Sequence, residues 1–367
     1  MQETYRADQV GSLLRPAALL DARDAWKAGK IDRDALRAAE DKAVLEVLKM
    51  QQDAGMPIFT DGEMRRDAWQ TNFSEAVEGF EPTYPVREMT REDGTRVRLQ
   101  MHTKAINGRL RQTRRLAQAD AVFLKRHSPG PFKITMPSPA VIARNSYKAG
   151  VTDRAYPDIA ELRNDIRGIV QGEMAALAAD GAAYLQLDEG FTIYAEPDRM
   201  KATGIADPER ALEEDIALEN ACYDAVRRPG LTLAMHLCRG SRASFARGHG
   251  GYDWLAEHLF SRLHVDRFLL EYDNSERVGG FEPLKHVPKG KVAVLGLVSS
   301  THPALEKQDD LMRRIETASK FCPLEQLAIS SQCGFQGSAS RDGAHMNIDQ
   351  QRRKLELIAD TARKVWS

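Results

Sequence analysis

Residues 158–188, DIAELRNDIRGIVQGEMAALAADGAAYLQLD, decide the reading of the fold. Ile159, Leu162, Ile166, Ile169, Val170, Met174 and Leu177 recur at helical spacing, and Gly181 supplies a stop. Residues 183–188 follow as a short apolar run with a polar end, which reads as a buried strand. A long helix feeding a continuously apolar strand is the unit of a parallel sheet, because parallel strands need crossovers and are covered on both faces.

The unit recurs. Strands are expected at 57–61, 132–136, 183–188, 231–238, 267–273, 291–298 and 326–332, mostly with helical segments between them. Seven strands in 367 residues, with no Gly-rich dinucleotide fingerprint after the first, favour an α/β fold of the (β/α)8 TIM barrel type in one catalytic domain, 1–367. An eighth strand is expected near 7–13 or around Ser299. The segment 80–130 breaks the alternation. It is polar and rich in Arg and Thr, with a turn-like Glu92-Asp93-Gly94, and reads as an inserted hairpin plus helix that caps the barrel.

Composition narrows the function. With 42% hydrophobic and 29% charged residues and no long apolar run, a bilayer-spanning helix is not expected. The opening residues lack the basic start and apolar run of a secretory signal, so a cytoplasmic location is expected, with the four cysteines as thiols or ligands rather than disulfides. The net charge of -1 and the dispersed basic residues leave no footprint for nucleic acid, and the ligand is expected to be a small molecule.

Polar residues of catalytic type follow the apolar runs: Asp61 and Glu63, Gln186, Asp188 and Glu189, His236, Cys238 and Arg239, Glu271 and Asp273, Gln332 and Cys333. In a barrel, strand C-termini share one rim, and that rim holds the active site. His236 and Cys238 are two apart, so both point to the same side of a strand. Alone the pair is weak, since buried cysteines are usually small hydrophobes and buried histidines usually hydrogen-bonded core residues. Cys333 and Glu271, on the same rim, complete a nitrogen, sulfur and oxygen donor set suited to Zn2+. Cys222 and Cys322 read as structural.

Zinc held by two thiolates is electron-rich, a poorer source of hydroxide than a partner for a soft sulfur. The expected substrate is therefore a thiol, whose pKa falls from about 8.5 on coordination so that a thiolate can attack an electrophilic carbon. Glu271 could leave as the substrate sulfur arrives, keeping the ion four-coordinate.

Several short motifs, in one order across nearly the whole chain, resemble those of the cobalamin-independent methionine synthases, in particular single-barrel proteins similar to their C-terminal catalytic domain. They are Val10-Gly-Ser-Leu-Leu-Arg-Pro16, Thr60-Asp-Gly-Glu-Met-Arg-Arg66, Gln186-Leu-Asp-Glu189, His236-Leu-Cys-Arg-Gly240, Leu270-Glu-Tyr-Asp273, Gly296-Leu-Val-Ser-Ser300 and Ser331-Gln-Cys-Gly-Phe335. The resemblance implies a β/α barrel, zinc on His236, Cys238, Glu271 and Cys333, and homocysteine held through its amino and carboxylate groups by Gly11, Ser12, Glu63 and Asp188. Two carboxylates suit an ammonium, and a backbone turn suits a carboxylate. Blander readings are a turn at Gly11-Ser12, a helix start at Asp61 and Glu63, and a structural ion pair at Asp188.

Three departures matter. Full-length members carry a second barrel that helps bind a polyglutamyl folate, which these 367 residues do not include, so the donor could be methyltetrahydrofolate or a corrinoid-type donor. In the family a histidine assists proton transfer, but here Thr301 falls at its place and His302, one residue displaced, is the candidate general acid. Gln332 replaces an aspartate before Cys333, and Gln336-Gly-Ser-Ala replaces a Lys-Thr-Arg run. The arginines of 80–130 (Arg96, Arg98, Arg109, Arg111, Arg114, Arg115) read as a solvated face before an anionic-donor site.

The leading reading is a zinc-dependent methyltransferase acting on homocysteine. One alternative is an epoxyalkane or alkyl transferase using coenzyme M, whose sulfonate would call for Arg65, Arg66 or Arg239. The others are a metal-free barrel decarboxylase related to uroporphyrinogen decarboxylase and a non-catalytic thiol or zinc binding protein. Partners left open are a homo-oligomeric copy or a methyl-carrier protein.

Overall fold

In the computed structural model, residues 5–83, 86–90, 96–100, 103–188, 191–195, 200, 205–239, 251–341 and 345–366 are described. Four antiparallel strands come first: β1 (Val77–Thr83), β2 (Val86–Thr90), β3 (Arg96–Gln100) and β4 (Thr103–Gln112), with β1 paired to β4 and β2 to β3. A helix, Gln118–His127, follows them. The turn expected at Glu92-Asp93-Gly94 lies outside the described residues, as do Glu189, Gly240 and the side chains of Arg96 and Arg98. Of the remaining arginines here, Arg109 pairs with Glu161 at 2.5 Å, Arg111 with Glu78, Arg114 with Glu75 at 3.7 Å, and Arg115 with Glu173 and Asp180 at 2.7 and 2.9 Å. Three of these four are more than half exposed, which makes them a solvated face.

Six parallel strands then form the main sheet: β5 (Lys133–Pro137), β6 (Tyr184–Asp188), β7 (Thr232–Leu237), β8 (Arg267–Glu271), β9 (Val292–Val298) and β10 (Leu327–Ser331), each paired to the next in chain order. They are buried almost throughout, as strands enclosed on both faces must be. The helix Ile159–Asp180 runs as its periodicity requires. Asp158 caps its start through Ala160 N, and Gly181 ends it at φ 110°.

Two segments complete the ring without a full ladder. Ala7 makes a parallel bridge to Ile329 of β10, and Phe59 one to Phe132 beside β5. The eighth strand therefore lies at the N-terminal segment rather than near Ser299, and 57–61 is one bridge rather than a strand. The reason is a side chain. Gln51 Oε1 accepts from Thr60 N at 2.8 Å and its Nε2 donates to Thr60 O at 2.9 Å, satisfying backbone groups that a neighbouring strand would otherwise take. Gln9 Nε2 donates to Gln51 Oε1 at 2.6 Å, and Leu13 N to Gly62 O at 3.0 Å, joining the two segments and closing the barrel.

The interior is shared around this ring: Val10, Ile58, Tyr184, Ala234, Leu269, Val294 and Ala328 pack as one cluster drawn from seven of the eight segments. Lys133 represents the eighth, fully buried, with its ammonium 2.7 Å from Asp8. Asp8 also accepts from the Tyr184 hydroxyl at 3.0 Å and lies 3.5 Å from Arg267. These charges are held in the interior because each has a partner.

Candidate metal centre and substrate pocket

Every side chain of the site sits at or just past the C-terminal end of a barrel segment. His236 occupies the end of β7, 2% exposed, and its Nδ1 lies 3.3 Å from the Leu269 carbonyl on β8. With Nδ1 protonated, that hydrogen bond fixes the ring and leaves Nε2 a lone pair. His236 Nε2 is buried with no hydrogen-bond partner. Cys238 follows two residues later, and its Sγ stands 3.6 Å from Cys333 Sγ. Glu271 ends β8, fully buried. One donor atom from each of His236, Cys238, Glu271 and Cys333 can be chosen so that all lie within 4.8 Å of one another.

The path of the chain explains how Cys333 gets there. The β10–β9 pairing slips between Ser330 and Ser331, a bulge that re-aims the residues after it. Opposite the slip is Gly296, where a Cβ would come 2.7 Å from both Gln332 Cα and Leu270 O. At Gly334 a Cβ would meet Ser12 Oγ at 1.9 Å, and Phe335 N donates to Ser12 O at 2.9 Å. The Cys333 turn is thereby pinned to the Gly11-Ser12 turn.

Glu271 is held at both of its oxygens. Its Oε1 accepts from Arg239 N at 2.5 Å, and its Oε2 from Arg277 Nη2 at 2.8 Å and Gln332 Nε2 at 3.5 Å. Burial pushes its carboxyl up to about 7, the Cys333 sulfur adding and Arg277 opposing. For His236, burial acts downward, yet Cys333, Asp188 and Glu271 outweigh it and raise the imidazole to about 9. Such a cluster draws in positive charge.

Beside it lies a group of buried carboxyls. Glu63 is 2% exposed and holds the left-handed conformation, φ 59°, which costs about 1–3 kcal/mol in a residue with a Cβ. Asp61 Oδ1 steadies it by accepting Glu63 N at 3.1 Å. Glu63 Oε1 accepts from Thr135 Oγ1 at 2.8 Å and Arg66 Nη1 at 3.3 Å, while Oε2 is buried without a partner. Burial raises its pKa, opposed by Arg66 and Arg15. Asp188 accepts from Gln186 Nε2 at 2.7 Å; burial pushes it to about 7, with His236 acting downward and Glu63 upward. Glu63, Asp188 and His236 thus share one electrostatic neighbourhood. Gly11, at φ 148°, faces it, since a Cβ there would lie 2.6 Å from Thr135 Cγ2 and 3.6 Å from Glu63 Oε1.

His302 stands apart. Its side chain is exposed at the rim after β9, whereas Thr301 is buried with its hydroxyl 3.2 Å from Ser299 Oγ. Two contributors were not read from the sequence, Thr135 and Arg277. The signal for Thr135 was the alternation of Lys133 and Thr135 within an apolar run, which sets both toward the interior. For Arg277 it was an arginine four residues after Asp273 on a short helical turn.

The chain belongs to the cobalamin-independent synthase catalytic-domain family, whose model matches residues 6–352. It is 33% and 34% identical to the Bacillus subtilis (strain 168) proteins YxjH and YxjG, both described as uncharacterized, covering 99% of this chain and 95% of each relative. A methionine synthase of Sulfurisphaera tokodaii is 26% identical over 89% of this chain and 84% of its own length. Among solved structures, a putative vitamin-B12 independent methionine synthase from Listeria monocytogenes superposes with a TM-score of 0.76 at 28% identity, covering 100% of this chain and 99% of that one. The barrel and the methyltransferase class follow from this membership. No helix among the described residues is long and apolar enough to cross a membrane.

Proposed function

We propose that this protein is a zinc-dependent methyltransferase that methylates a thiol, homocysteine, from methyltetrahydrofolate or a corrinoid-type donor. The observation that carries the reading is the convergence of two sulfurs, a carboxylate and a buried imidazole nitrogen that has no hydrogen-bond partner. Tetrahedral zinc with Zn–S near 2.3 Å separates two sulfurs by about 3.8 Å, close to the 3.6 Å between Cys238 and Cys333. His236, Cys238, Glu271 and Cys333 would hold the ion, which when bound supplies a lowered thiol pKa and so a thiolate at neutral pH. Two ligand thiolates call for a reducing compartment, in keeping with a cytoplasmic setting. The methionine synthase names of several relatives support homocysteine as acceptor.

The chain's own residues supply the rest. Glu63 Oε2 and Asp188 would bind the substrate ammonium, and the Gly11-Ser12 turn its carboxylate. Held there, the sulfur attacks the methyl carbon; the new S–C bond forms as the donor's bond to that carbon breaks, its electron pair leaving with the carrier. For an amine carrier, His302, exposed at the same rim, is the proposed proton source. Arg65 is engaged by Asp41 and Asp120, and Arg66 by Glu63 and Thr135, which favours an amino-acid thiol over a sulfonated one. A methyl-carrier protein or a second copy of the chain is the proposed partner class.

Zinc near one per chain is expected in purified protein, and its loss in Cys238→Ala or Cys333→Ala. Incubating the zinc form with panels of thiols and methyl donors, with mass detection of alkylated thiol, tests the activity; full activity in metal-free protein would reject the reading.

A further inference from the structure

We infer that Arg277 is the positioning residue that makes Glu271 the exchangeable member of the metal-binding set and receives its carboxylate when the substrate thiol takes its place. This rests on the zinc-thiol reading above. Arg277 sits on a short turn, Ser275–Val278, directly behind β8. Its side chain is 7% exposed, and Nη2 bridges Glu271 Oε2 at 2.8 Å and Asp273 Oδ1 at 2.9 Å. Its Nε and Nη1 are buried with no hydrogen-bond partner. A guanidinium has five N–H donors, so this one holds unused capacity next to Glu271.

The four donors are supported unequally. His236 has a long contact to the Leu269 carbonyl behind it and, beyond that, the Cys333 sulfur of the cluster itself. Released from a cation, its ring would have no charged partner of its own to replace the ion. Glu271 differs, since both its oxygens already accept from protein donors: Arg239 N on one side, Arg277 and Gln332 on the other. A buried carboxylate that loses its cation without compensation is strongly disfavoured, whereas one that stays ion-paired is tolerated. Arg277 supplies the compensating charge, so Glu271 can yield its place without being stranded. The same ion pair draws electron density from the carboxylate and weakens it as a ligand. Such an exchange would balance: Glu271 would give up its place to one thiolate sulfur, the thiol proton would pass to solvent or a buried carboxylate, and no electron would be transferred.

A merely structural arginine would, when replaced, loosen metal and thiol together. A positioning arginine would separate them, because Glu271 deprived of Arg277 has only the ion to neutralise it. The test uses full-length protein loaded with Co2+ as a spectroscopic stand-in for zinc, comparing the native protein with Arg277→Met and Arg277→Lys. Metal affinity is read by competition with a chromophoric chelator. Thiol entry is read by titrating L-homocysteine and following growth of the sulfur-to-cobalt charge-transfer band. In Arg277→Met, metal affinity is expected to be unchanged or higher, while half-saturation by homocysteine rises at least tenfold. Arg277→Lys keeps the charge but carries it on a shorter, more flexible stem as a single ammonium, so a smaller rise of several-fold is expected. A parallel fall in metal and thiol affinity in both variants, or unchanged thiol titration in either, overturns the inference. Failure of the native protein to bind Co2+ at all, or to change its spectrum with homocysteine, would instead reject the functional reading on which it rests.

Discussion

At the scale of single residues, the site is built from carboxyls that burial makes hard to ionise. Glu63 offers a partnerless buried oxygen to an incoming ammonium. A charge-assisted hydrogen bond contributes about 1.5–3 kcal/mol. Glu63→Gln is therefore expected to weaken homocysteine binding roughly 10- to 100-fold, with little change for a thiol lacking an amino group. Equal loss for both, measured by calorimetric titration, would remove the ammonium role. In the metal-free protein, burial holds Asp188 near 7 and Glu219 near 8, well above ordinary carboxyl values. The folded state thus binds more protons than the unfolded chain, and the stability these groups contribute is present in acid and lost as pH rises through 7 to 8. Urea midpoints of metal-free protein are expected to fall from pH 5 to pH 8.5, and the Asp188→Asn variant should show a flatter profile. His302→Ala is expected to slow turnover with an amine-leaving donor and to leave homocysteine binding unchanged.

The element scale shows what was legible and why. Strands β5 to β10 declared themselves through apolar runs, and the ends of β7, β8 and β10 through His236, Cys238, Glu271 and Cys333 in order. What could not be read was any contact set by bulges and turns: the slip at Ser330–Ser331 that aims Cys333, the left-handed Glu63, and the pairing of Arg277 with Glu271 depend on backbone paths that no periodicity encodes. The 57–61 run looked like a strand because it is apolar, but Gln51, on a helix earlier in the chain, takes its backbone groups. Glycines mark the tight places. Gly296→Ala would press a methyl against backbone on both neighbouring strands, unlike Gly334→Ala, whose clash is with the Ser12 side chain. Overpacking of this kind costs about 1–3 kcal/mol. Gly296→Ala is expected to lower the urea midpoint and the zinc content together, with Gly334→Ala the milder of the two; unaltered zinc in Gly296→Ala would mean the β8–β10 pinch does not set the ligand geometry.

Across the whole molecule, the barrel is unevenly bonded. Six strands share a continuous ladder, while the segments carrying Ala7 and Phe59 are tied in by one bridge each and by side chains. Gln51→Ala would leave Thr60 N and Thr60 O buried and unsatisfied, at about 1–3 kcal/mol per group. A drop of several degrees in Tm is expected, with an unchanged metal stoichiometry. Chemical denaturation monitored by circular dichroism and zinc analysis would check both.

That uneven bonding falls where the proposed thiol would bind, since Gly11, Ser12 and Glu63 all belong to the two weakly laddered segments. An occupant spanning them would act as a rivet across the seam. Amide deuterium uptake in residues 7–13 and 57–63 should therefore slow when homocysteine is present, far more than in β6 to β9, so that filling the pocket and locking the wall of the barrel become one event.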